Sequence, residues 1–134
     1  MQGSMARAAR VYRTTEVQSQ SALELVALLY AGALRFMHAA AAALERGDLV
    51  AKREALSRAL AIVAHLQGTL DMNGGGDVAR SLDALYDYVT ERLTEANVRK
   101  DPAPIREAIK MVSALHEAWA AIAVPGRAAA GARP

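Results

Sequence analysis

From Leu23 onward the apolar positions fall at alternating spacings of three and four: Leu23, Val26, Tyr30, Ala33, Met37, Ala40 and Leu44. That rhythm places them on one face of a single helix. Ser21 and Glu24 stand at capping-box spacing just ahead of it. Gly47 ends the helix and Asp48 is placed to cap a second one, which carries Leu49, Leu56, Leu60, Val63 and Leu70 on one side. After the glycines at 74–76, a third helix starting at Asp77 runs through Val78, Leu82, Leu85, Val89, Leu93 and Ala96. Pro102 and Pro104 are incompatible with a helix interior, so the stretch from Asn97 through Pro104 is read as a break. A fourth helix carries Ile105, Ile109, Val112, Leu115, Trp119 and Ile122 until Pro125 and Gly126 end it.

Short connections force neighbouring helices antiparallel, so the pattern predicts an all-α, up-down-up-down four-helix bundle over residues 21–123. Residues 1–20 and 124–134 lack periodic apolar positions and are expected to be a mobile N-terminal arm and a disordered tail, with Met1 to Ser4 read as a cloning remnant ahead of Met5. The turn at Gly74, Gly75 and Gly76 is expected to be purely structural, with at least one glycine at positive φ.

Two helices carry more apolar surface than one core stripe requires. Helix 1 has a second row, Leu25, Leu29, Gly32, Phe36, Ala40 and Ala43. Helix 2 has Ala55, Ala59, Ile62, Leu66 and Thr69 beside its core row. Small side chains allow a foreign helix to approach closely, so such a row serves equally well as a core shoulder or as a groove for another helix. In helix 3, Tyr86 belongs to the core stripe, with its hydroxyl expected near a boundary. Tyr88 lies about 200° further round at about 100° per residue and is the candidate for a surface contact. The expected groove lies between helices 2 and 3 and involves Ile62, Leu66 and Tyr88.

Composition narrows the chemistry. At 134 residues the chain is one domain. Aromatics make up 4%, which with the abundance of alanine argues against a sheet. Net charge is +2, and the excess sits largely at the ends (Arg7, Arg10, Arg13, Arg127, Arg133), so nucleic-acid binding is not inferred. Cysteine is absent, which excludes disulfides and thiolate metal sites and fits the cytosol. Residues 6–12 form no secretory signal, and no run approaches the roughly 18 uninterrupted apolar residues of a membrane span, so membrane insertion is not expected. His38, His65 and His116 are scattered over three helices without the Glu-x-x-His pairs of a di-iron bundle. No Gly-Lys-Ser/Thr follows the glycine run. No catalytic, metal or cofactor site is expected, and a cofactor-binding enzyme is the weakest reading.

The stretch from Leu70 to Asn97, LDMNGGGDVARSLDALYDYVTERLTEAN, closely resembles the FliS family of flagellin export chaperones, whose members read LDMxxGGxIAxxLxxLYxYxxxRLxxAN. The resemblance extends from Val11 to Ile122 and includes Ser21, Leu25-Val26, the run from Leu29 to Ala33, and Trp119. Ala22 stands where the family has proline, and Ala31 where it has an acidic residue. The latter puts in doubt any partner contact made through that carboxylate. The resemblance implies a cytosolic, non-enzymatic helical bundle that binds the C-terminal segment of flagellin, with export-gate components as further partners. It also implies an arm that covers the groove through a tyrosine, here Tyr12. Ala55, Ala59, Ile62, Leu66, Thr69 and Tyr88 are the other expected partner-binding positions. The alternative is a generic helical interaction module, or a regulator that sequesters a different amphipathic helix.

Overall fold

The computed structural model describes residues 19–123. They form four helices: α1 (Ser19–Glu45), α2 (Leu49–Gly68), α3 (Gly76–Arg99) and α4 (Ala103–Ala123). Each helix packs on the next, and α4 closes back onto α1, giving the antiparallel bundle that the periodicity predicts. The α1–α2 and α1–α4 seams are much the more extensive. The cause is α1 itself, whose Ala33, Ala40 and Ala43 are fully buried and let neighbouring backbones approach closely. By length and composition Leu23–Glu45 could also cross a membrane. Here its apolar excess is divided between two flanking helices.

The ends of the helices follow local chemistry. Asp48 caps α2, its Oδ1 accepting the Ala51 N–H at 3.0 Å. Gly47, at φ 76°, turns the chain between α1 and α2, and Gly76, at φ 62°, supplies the left-handed residue expected in the glycine run. Asp71 organises that second turn, since its Oδ1 accepts the Gly74 N–H at 2.9 Å and its carbonyl accepts the Gly75 N–H at 2.7 Å.

Two boundaries differ from expectation. α1 begins at Ser19, so Ser21 lies inside its first turn and not at the cap. The break after α3 spans only residues 100–102, and Pro104 lies in the first turn of α4. A first-turn residue has no intrahelical acceptor for its N–H, so proline costs nothing there. Asp101 starts this helix by accepting the Ala103 N–H at 3.0 Å.

The core holds the predicted stripes of α1, α3 and α4, including Val26, Tyr30 and Met37, then Leu82, Val89 and Leu93, then Ile105, Val112 and Trp119. Full burial of each large aliphatic side chain contributes about 1.5–3 kcal/mol. At the centre Trp119 stacks on Tyr30, with centroids 6.4 Å apart and rings inclined by 24°. The Tyr30 hydroxyl meets that of Tyr86, joining α1 to α3 across the bundle diagonal. The Tyr86 hydroxyl is therefore interior, whereas the stripe placed it near a boundary. A buried hydroxyl needs a partner, and this one lies on a helix that sequence spacing cannot relate to it.

Candidate functional site

The partner-binding positions expected from sequence separate into three environments. Ala55, Ala59 and Leu66 are buried, with Leu66 among the largest fully buried side chains. In this structure they are core, and α2 uses its second row at least as heavily as its first, whose Leu49 is exposed. Ile62 and Thr69 are part-buried. A Cβ added to Gly32 would lie 3.3 Å from Ile62 Cδ1, which puts Ile62 at the α1–α2 seam. Thr69 caps α2, its hydroxyl donating to the Leu66 carbonyl at 2.8 Å.

Tyr88 is 40% exposed and belongs to a different face. Its hydroxyl donates to Glu107 Oε2 of α4 at 2.5 Å, and the Arg92 guanidinium lies 5.6 Å from its ring centroid. The bond to Glu107, followed by desolvation, raises the Tyr88 pKa above its ordinary value. Ile62 and Leu66 on one side and Tyr88 on the other therefore do not form one groove between α2 and α3. Tyr12 lies outside the described residues.

The accessible apolar surface lies elsewhere. Leu25 and Leu28 on α1 are 50% and 67% exposed. Leu25 continues the line of Gly32 and Phe36, seven and eleven residues before them and hence on one helix face. Phe36 is part-buried between two cations, Arg35 at 5.2 Å and Arg58 of α2 at 5.8 Å from its centroid. Met72, exposed in the α2–α3 turn, stands at the same end of the bundle as Leu25. Leu28 belongs to neither row read from the sequence. Its only signal was being a third leucine within a helix already over-supplied with them.

Between α1 and α4 lies an open cavity of about 470 Å³, lined by His38, Ala41, Ala42, Glu45, Arg106, Ile109 and Lys110. Arg106 pairs with Glu45 across its mouth. Among the described residues no three His, Asp or Glu side chains converge at metal-binding distance. His38 and His65 are exposed and His116 is part-buried, each on a different helix.

The described residues form a four-helix bundle that leaves Leu25 and Leu28 exposed on its most apolar helix, an all-α scaffold with an uncovered apolar face. Sequence comparison makes the class specific. The model of the flagellar protein FliS family matches residues 5–126, and the chain belongs to that family. It is 41% identical over 112 residues to the flagellar secretion chaperone FliS of Salmonella typhimurium, covering 83% of each chain. It is 33% identical over 119 residues to that of Vibrio cholerae, covering 89% of this chain and 88% of the relative. To that of Bacillus subtilis it is 34% identical over 108 residues, covering 81% and 80%.

Proposed function

We propose that this protein is a cytoplasmic export chaperone that holds the C-terminal segment of flagellin before secretion and flagellum assembly, and so prevents premature polymerisation. The observation that carries the reading is the exposed pair Leu25 and Leu28 on an otherwise packed helix. An amphipathic segment laid over them buries apolar surface on both chains, at about 25 cal/mol per Å². Ordering a disordered client costs part of that gain, so affinity comes from a long wrapped contact and not from one pocket. The contact surface we assign centres on Leu25, Leu28, Ile62 and Thr69, with Tyr88 meeting the client on a second face. Ala55, Ala59 and Leu66 form the floor beneath. Export-gate components are further partners of the loaded complex.

The test is capture of the isolated flagellin C-terminal segment by the full chain. Leu25→Asp with Leu28→Asp is expected to retain the helical circular-dichroism signal and lose capture. Undiminished capture by this folded variant removes the α1 face from the site. Failure of the wild-type chain to capture the segment removes the client.

A further inference from the structure

Lys52 is the one charged side chain buried among the described residues, at 6% exposure. Its stem lies on the interior face of α2 with Ala55, Leu56 and Ala59, and its ammonium donates to Asn97 Oδ1 of α3. None of the ion pairs among the described residues includes it. The carboxylate one helical turn before it, Asp48, is committed to the Ala51 N–H and to Arg46. An ammonium has three donors, and desolvating it against a single neutral acceptor is unfavourable. Among the described residues no carboxylate lies within ion-pairing distance of this ammonium, and its side-chain partner is the Asn97 amide.

Directly outside is a cavity of about 210 Å³ between α2 and α3, lined by Arg53, Leu56, Ser57, Leu60, Thr94 and Asn97. Asn97 is both the acceptor for Lys52 and a wall of this cavity. With its Oδ1 engaged by the ammonium, the amide has its NH₂ donors left for an incoming acceptor. The lining contains one cation, Arg53, and no acidic side chain, over an apolar floor. At the same end of the bundle Val50 and Val98 are 70% and 73% exposed. Positive charge on an apolar floor, flanked by exposed valines, is complementary to a carboxylate carried on an apolar helix face.

We infer that the α2–α3 cavity receives one Asp or Glu side chain of the client segment. Arg53 and the Asn97 amide meet the carboxylate, and Lys52 supplies the balancing charge through Asn97. The inference rests on the client reading above and deepens it, since it gives the wrapped segment a polar register mark that apolar contacts lack.

The experiment titrates a synthetic flagellin C-terminal peptide into the full chain, alongside peptides in which each Asp or Glu is replaced singly by Asn or Gln. Arg53→Gln, a surface change that spares the fold, and Lys52→Met are each expected to weaken binding by about tenfold, as loss of one hydrogen bond to a charged group does. One acidic replacement in the peptide is expected to weaken wild-type binding similarly and to have no further effect on Lys52→Met. Free Lys52→Met protein is expected to melt no lower than wild type, because an unpaired buried charge has been exchanged for an apolar side chain. If Lys52→Met loses stability together with affinity, Lys52 is a structural residue and the site is refuted. Both variants binding like wild type, or no acidic position coupling to Lys52, also refutes it while leaving the client reading intact. If the wild-type chain does not bind the peptide, the client reading and this site fall together.

Discussion

Adding one methyl group at Gly75 or at Gly68 should move stability in opposite directions. A Cβ on Gly75 would lie 2.5 Å from the Asp71 carbonyl oxygen and 2.5 Å from Ala79 Cβ. Ordinary carbon contacts lie at about 3.5–4.0 Å, so the overlap is on the order of 1 Å in two directions. Neither neighbour is a flexible tip. One is backbone, already held by the Gly75 N–H at 2.7 Å, and the other is a fully buried alanine in the first turn of α3. Relief requires that turn to move, and such overpacking costs about 1–3 kcal/mol. Gly68 is the last residue of α2, and a Cβ there meets nothing within 4 Å. Alanine at such a site stabilises by about 0.4–1 kcal/mol by restricting the unfolded chain. The two variants should therefore differ by about 1.5–4 kcal/mol, or roughly 6–20 °C in Tm for a domain of this size. Thermal and urea unfolding followed by circular dichroism measure the difference. Client capture at permissive temperature should be unchanged in both. Gly75→Ala melting at or above Gly68→Ala would refute the steric argument.

Leu66→Ala should destabilise by about 2–5 kcal/mol in urea unfolding, as for a fully buried leucine; a surface-sized loss would show that this part of α2 opens readily. Ile62→Asp places a carboxylate one turn after Arg58 at a part-buried seam, and should keep the helical spectrum while weakening capture of the flagellin segment; collapse of the fold would make Ile62 core. Glu107→Gln removes the carboxylate that holds up the Tyr88 pKa, so ultraviolet titration should find the phenol ionising at lower pH. The raised folded pKa also means that the Tyr88 contribution to stability is fully present below the ordinary tyrosine value and falls as pH rises above it; Glu107→Gln should flatten that decline.

Helix number, order and the faces of α1 and α3 were legible because large apolar residues recur there against polar ones. α2 was ambiguous for a definite reason. Alanine at 55 and 59 suits a tight core and an open groove equally, and only their burial in the assembled bundle distinguishes the two. Pro104 was misread because a proline marks a break or a first turn according to where the preceding helix stops, and Arg99 carries α3 further than Asn97 suggested. The pairings Tyr30–Tyr86, Tyr88–Glu107 and Lys52–Asn97 were illegible in principle, since each joins helices whose relative rotation follows from packing and not from spacing. Exposed Leu28, Val50 and Val98 were also missed: an isolated apolar residue off the stripe carries no periodic signal.

The single tryptophan of the chain stands inside the bundle, stacked on Tyr30, which in turn meets Tyr86. Its emission thus monitors the interior without any label. A partner that merely rests on the outer face of α1 leaves this ring in its dry, stacked surroundings, and the spectrum stays where it was. A partner that pries α1 from α4 to reach the floor at Leu66 must wet or tilt Trp119 and shift the emission toward the red. Surface wrapping and core opening would thereby be told apart in a cuvette, with the unmodified protein as its own gauge.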